Sequence, residues 1–217
     1  QGLFGGGLVA FDYNNDGYED LFITGGQGQD VLYKNNGDGT FTDVTKKAGL
    51  FKDKIIVTTG VSSADVNKDG HIDLFLTTIA SQVDKSKKNK TLSPNLLYIN
   101  NGNGTFTDQS SKFGIIKNNF STSCSFGDIN ADGFPDLFVG NYFKNFYFEE
   151  SPFNTHNLAI LNHYSINEEY ETGDDEIYIN VEGKYFKNDS VDFNDSIDSK
   201  NNPINDIVST FYKLRSA

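Results

Sequence analysis

Three nine-residue segments carry the chemistry of this 217-residue chain: DYNNDGYED at Asp12–Asp20, DVNKDGHID at Asp65–Asp73 and DINADGFPD at Asp128–Asp136. All read D-x-N-x-D-G-x-x-D. Hard divalent cations of the calcium type take about six to eight oxygens, and alternate residues of a tightly turned loop point their oxygens at one centre. Positions 1, 3, 5 and 9 offer side-chain oxygens and position 7 a backbone carbonyl. The donors are Asp12, Asn14, Asp16, Tyr18 and Asp20 in the first loop; Asp65, Asn67, Asp69, His71 and Asp73 in the second; and Asp128, Asn130, Asp132, Phe134 and Asp136 in the third. Gly17, Gly70 and Gly133 at position 6 permit the sharp turn that closes such a ring. The pattern predicts three Ca2+ sites.

A single DG-rich loop is often an ordinary turn, but no turn requires Asp at positions 1, 5 and 9 and Asn at position 3 every time. Magnesium demands a strict octahedron and keeps its waters, which fits this flexible donor set less well. Zinc prefers nitrogen and sulfur, and no His or Cys side chain occupies a ligand position. The helical calcium hand begins similarly but needs Glu at position 12 between amphipathic helices. Position 12 here is Ile23, Leu76 or Val139, and the flanks alternate with period two.

The elements that must hold these loops repeat with them. GLVAFDYNNDGYEDLFITGG is followed by DVLYKNNGDGTFTDVTKKAGL, and GVSSADVNKDGHIDLFLTTIA by NLLYINNGNGTFTDQSSKFGI. A third unit, CSFGDINADGFPDLFVGNY, continues after an insertion as EIYINVEGKYFKNDSVDF, where the NNGDGTFTD pattern has decayed. The loops begin 53 and then 63 residues apart, a spacing typical of repeat architectures. Each unit parses into four short strands: one entering the acidic loop, one leaving it, one at LYKNN or its equivalent, and one at TFTDV. Gly37-Asp38-Gly39 and Gly102-Asn103-Gly104 supply the positive φ of a tight hairpin. Four antiparallel strands repeated radially make β-propeller blades, whereas a β-sandwich would not need one loop at one place in every unit. The expectation is an all-β chain of about three four-stranded blades. Its units span approximately residues 3–52, 53–115 and 116–190, with 191–217 starting a degenerate fourth.

Composition narrows the partners. The formal charge of −12, from 30 acidic and 18 basic residues, opposes a nucleic-acid partner because little here would release phosphate counterions. Three divalent ions would offset up to six of those charges. No run of about 18 apolar residues marks a membrane span, and the lack of a signal-type segment at the start, together with the absence of Met, leads to the expectation of a mature or trimmed piece. Cys124 stands alone, so no intrachain disulfide forms, and its place in STSCSFGD suits a small buried thiol in a strand.

These residues, above all D-x-N-x-D-G-x-x-D-L with LYKNNGDGTFTDVTKKAGL and its copy, resemble the FG-GAP/VCBS repeat family, whose best-known relative is the β-propeller of integrin α subunits. The resemblance spans roughly residues 3–190. It implies structural calcium on the blade hairpins, a secreted or cell-surface location, and service in adhesion or ligand recognition. Lys213 stands near where a fourth loop would place its first Asp, so no fourth site is expected. Three blades and the start of another fall short of the propeller norm of about four to eight. The expectation is therefore part of a larger propeller, with an open chain that self-associates or an unusually small ring as alternatives.

Two insertions interrupt the repeat: Ala80–Ser93, with Lys85, Lys87, Lys88 and Lys90, and Tyr142–Asp175, rich in aromatics and containing His156 and His163. Insertions in repeat proteins often share a binding face, and exposed rings there would suit a sugar or a protein; rings packed onto their own blade are the plainer account. Glu149/Glu150 or Asp174/Asp175 with either histidine is the arrangement a polysaccharide-active enzyme would use. No nucleophile elbow, phosphate loop or metal-histidine motif accompanies them. The leading expectation is a calcium-binding recognition or adhesion module for a glycan or protein, ahead of a structural or assembly subunit, with an enzyme third.

Overall fold

A computed structural model describes residues 6–26, 28–52, 56–81, 93–117, 120–143 and 175–189. The lysine-bearing segment 82–92, most of the aromatic insertion (144–174) and the fourth-unit segment lie outside the described residues. Within them the chain is all-β. The first sheet is a meander of β1 (Leu8–Phe11), β2 (Asp20–Ile23), β3 (Val31–Asn35) and β4 (Phe41–Asp43). The second contains β5 (Ile56–Ala64), β6 (Asp73–Ser81), β7 (Leu96–Asn100) and β8 (Phe106–Asp108). The third contains β9 (Phe120–Gly127), β10 (Asp136–Phe143), β11 (Glu176–Val181) and β12 (Tyr185–Asn188). Every pairing is antiparallel between chain neighbours, the construction of propeller blades.

The registers superimpose unit on unit. Leu21 pairs with Tyr33, Leu74 with Tyr98 and Leu137 with Tyr178, so the acidic loop always joins the first strand to the second at the same end of the sheet. In a half-buried sheet one face would be polar, but the central strand β6 buries Leu74, Phe75 and Leu76 completely. The reason is that blades stack face to face. Leu74 and Leu76 join Phe11, Tyr13, Phe22 and Leu32 in a core between the first and second sheets. Phe75, Leu97 and Ile99 join Leu137, Val139, Tyr178 and Phe186 in another between the second and third. Each such ring or branched chain stabilises by about 1.5–3 kcal/mol relative to exposure.

The outer faces of the stack show what the inner ones hide. Phe41, Phe106 and Phe186 pair with Asn35, Asn100 and Asn180 in the fourth strand of each sheet, yet their exposures are 44%, 6% and 4%. Among the described residues the last two pack in the cores against the preceding blade, and Phe41 belongs to neither core. The opposite face behaves alike: Phe22 and Phe75 are 1% and 0% exposed, whereas the equivalent Phe138 is 38% exposed.

The third hairpin explains its decayed motif. It keeps the length of the other two but moves its left-handed residues from Gly37 (φ 76) and Gly39 (φ 87) to Glu182 (φ 52) and Gly183 (φ 68). Lys184 N then donates to Val181 O at 3.0 Å, and successive positive φ values suit a tight hairpin without the GDG sequence. Cys124, on β9, is half-buried rather than fully enclosed; its thiol contacts the Phe75 carbonyl at 3.8 Å, and burial pushes it up to about 12. The expected result is negligible alkylation of the folded protein at pH 8 over an hour, with full labelling in urea. Rapid native labelling would refute that.

Candidate metal centres

Each acidic loop folds on itself through one set of hydrogen bonds, repeated three times. The amide N–H of position 5 donates to the side-chain oxygens of both position 1 and position 3. The distances are 3.1 and 3.2 Å at Asp16, 3.0 and 3.0 Å at Asp69, and 3.1 and 3.0 Å at Asp132. Two side-chain oxygens thus converge on one point in every loop. The position 6 N–H donates to the other oxygen of position 1 at 2.7, 2.8 and 2.8 Å. Position 7 N–H donates to the position 5 carboxylate at 3.1, 2.9 and 2.8 Å.

Two backbone conditions allow this path. Gly17, Gly70 and Gly133 have φ of 86, 87 and 87; a Cβ would meet no atom within 4 Å at Gly17 or Gly70, and at Gly133 only the tip of the Lys68 side chain, at 2.9 Å, so the left-handed backbone, rather than crowding, requires glycine. Position 4 is also left-handed, at Asn15 (φ 56), Lys68 (φ 58) and Ala131 (φ 60). Three unrelated side chains there hid that constraint in the sequence.

Position 9 is set apart. Asp20, Asp73 and Asp136 are fully buried. Each clamps the start of the loop to the end of the third strand: one oxygen accepts from Tyr13, Val66 or Ile129 N at 3.1, 2.9 and 2.8 Å, the other from Asn35, Asn100 or Asn180 N at 2.7, 2.8 and 2.8 Å. Burial raises the Asp20 carboxyl, and in the doubly covered central blade it pushes Asp73 up to about 7 against the lowering effect of its two amide donors. At position 5 the balance reverses in loop one, where the Lys34 ammonium beside Asp16 holds its carboxyl below the ordinary range.

The donor set fits a calcium-type ion: oxygen only, with positions 1 and 3 already convergent and position 5 beside them. Among the described residues no group of three or more His, Cys, Asp and Glu side chains is drawn together as a ready-made metal cage. Asn at position 3 lies outside such a group, and the carboxylates of positions 1 and 9 are directed onto backbone amides.

The loops also form the blade junctions, through residues that the motif reading passed over. Asn100 Nδ2 donates to Tyr13 O, in the preceding loop, at 2.8 Å and to Ile72 O, in its own, at 3.2 Å. Asn180 repeats this with Val66 O at 2.8 Å and Pro135 O at 3.1 Å. Asn35 bonds its own loop, at Glu19 O. The signal was present in the repeat, since the Asn of LYKN, LYIN and IYIN persists where the hairpin motif decays. Backbone clasps add to it, with Phe106 N donating to Ala48 O and Phe186 N to Phe113 O, both at 2.9 Å. Near the inner strands Asp30 accepts from Thr58 Oγ1 of the next sheet, and Asn95 Nδ2 donates to Ser121 Oγ at 3.0 Å.

A sequence profile described as "FG-GAP-like repeat" matches residues 12–76 and 80–139, more than half of the chain. The chain belongs to the FG-GAP-like repeat family. The first match runs from the start of loop one through loop two, and the second ends just beyond loop three. Seventy residues of this FG-GAP repeat chain are 34% identical to cartilage acidic protein 1 of Xenopus tropicalis. The match covers 32% of this chain and 11% of that protein, so it speaks for the shared repeat alone. Among the described residues no helix is long and apolar enough to cross a membrane.

Proposed function

We propose that this FG-GAP repeat chain is a calcium-stabilised recognition module of an extracellular protein, its ions bracing the loops where blade meets blade. One observation carries the reading: all three loops adopt the same oxygen-convergent geometry, and in two of them the adjoining carbonyl, Tyr13 O or Val66 O, anchors the next blade through Asn100 or Asn180. Asp12, Asn14, Asp16, Asp20 and the Tyr18 carbonyl would hold the first ion. Asp65, Asn67, Asp69, Asp73 and the His71 carbonyl would hold the second, and Asp128, Asn130, Asp132, Asp136 and the Phe134 carbonyl the third. The ion's role is structural. Family membership and likeness to a protein named for cartilage support an extracellular, adhesion-type setting with a glycan or protein ligand, and a binding rather than catalytic role.

Calcium that binds only the folded state stabilises it by mass action, about 2.7 kcal/mol for each site at a hundredfold excess over Kd. For a chain of this size that is a rise of about 5–10 °C per site. Asp69→Ala should remove roughly a third of the calcium-dependent gain in scanning calorimetry. Equal gains in variant and parent would sink the assignment of loop two. A glycan and matrix-protein array with and without chelator then tests recognition, and silence throughout would remove that part.

A second reading rests on the exposed Phe41 and Phe138. Their buried counterparts pack against neighbouring blades, so these faces suit another blade, from the same protein or from another copy. Concentration-dependent sedimentation reversed by Phe138→Ser would support self-association; a monomer at every concentration would exclude it.

A further inference from the structure

The three loops share one donor set but differ in charge. Lys34 Nζ lies 2.5 Å from Asp16 Oδ2 and 3.2 Å from Asn35 O, placing an ammonium on the position 5 carboxylate of loop one. By register Lys34 corresponds to Ile99 and Ile179, since Tyr33, Tyr98 and Tyr178 align immediately before them. Neither isoleucine can ion-pair. Among the described residues Asp69 and Asp132 form no ion pair, and their Oδ2 atoms accept from the neighbouring Asn67 and Asn130 amides, at 2.8 and 2.9 Å; the Lys68 ammonium that reaches loop three lies over the Phe134 ring, 4.0 Å from its centroid, rather than on the Asp132 carboxylate.

We propose that Lys34 is a built-in counter-cation that makes loop one the weakest of the three calcium sites and the one least dependent on calcium for its shape. The inference rests on the calcium reading above. An ammonium on Asp16 does part of what the ion would do, relieving repulsion among Asp12, Asp16 and Asp20 before any metal arrives. Calcium must then displace it, because two cations cannot share one carboxylate without strong mutual repulsion. The pair is partly open to water, with side-chain exposures of 29% and 30%, so the amine has somewhere to go. Losing an exposed ion pair of this type weakens binding by about twofold to fivefold. Isoleucine at the matching register in the other two blades shows that the scaffold accepts an uncharged side chain there.

The position 6 glycine amides give one reporter per loop, since each donates to the position 1 carboxylate. In a calcium titration followed by amide NMR of the whole chain, Gly70 and Gly133 should shift first, and Gly17 should need about twofold to fivefold more calcium. Lys34→Gln, which removes the charge alone, and Lys34→Ile, which copies the other blades, should bring Gly17 into step. Both should also lower the melting temperature more in chelator than in calcium. The proposal is overturned if Gly17 moves with or ahead of the others in the parent, or if its lag survives both substitutions. If only Gly70 and Gly133 respond, its strongest form holds; if no glycine responds, the calcium reading fails and this inference with it.

Discussion

Asn100→Asp should destabilise the chain by about 4 kcal/mol, the range expected when a buried hydrogen-bonding partner becomes an unpaired charge. Asn100 is 1% exposed, its amide donates to Tyr13 O and Ile72 O, and its own oxygen accepts from Gly102 N at 3.1 Å. A carboxylate there faces two carbonyls, with no donor to exchange for the lost ones. The matched control is Asn35→Asp. Asn35 is half-buried and donates to Glu19 O of its own loop, so roughly 1 kcal/mol is expected. Urea unfolding of both variants separates the bond within a blade from the bond between blades. Equal losses would show that the link from Asn100 to Tyr13 contributes nothing to stability.

Asp73→Ala should lower stability by about 3 kcal/mol, because two buried amides, Val66 N and Asn100 N, lose their acceptors at about 1–3 kcal/mol each. For a chain of this size the melting temperature should fall by roughly 6–12 °C. Burial makes the effect depend on pH. The folded Asp73 carboxyl is pushed up to about 7, above an unfolded value of about 3.9. A carboxyl raised on folding contributes stability that is fully present below the unfolded value and lost as pH rises through the folded one. In chelator, therefore, the parent should lose stability between about pH 4 and pH 7, and Asp73→Ala should flatten that part of the profile. The deficit of the variant should accordingly be larger at pH 5 than at pH 8. A pH-independent deficit, or one below about 1 kcal/mol, would mean that the clamp is not what holds β6 to its loop.

The repeat made most of the architecture legible. D-x-N-x-D-G-x-x-D, flanked by period-two strands and recurring with its LY-x-N partner, was enough for four-stranded blades and family membership. Local hydrogen bonding explains why: positions 1, 3, 5 and 6 satisfy one another within six residues, so the motif carries its own geometry. Cys124 shows the limit of reading burial from one strand, since its exposure depends on how β9 lies against Phe75 of another sheet. The left-handed position 4 was hidden for a different reason. Asn15, Lys68 and Ala131 share a conformation imposed by the ring around them and no side-chain chemistry.

What the sequence determined by itself was therefore local: the acidic loops with their internal hydrogen bonds, the antiparallel hairpins, and the recurrence of the unit. What only the tertiary structure decided was how the units meet. It turned Asp20, Asp73 and Asp136 from candidate ligands into buried clamps as well, made Asn100 and Asn180 the pins between blades, and singled out Lys34 beside Asp16. Those roles join residues from different strands or different sheets. A linear motif specifies the short-range bonds that close a loop, but the packing of one blade on the next determines which side chains lose water and which find partners.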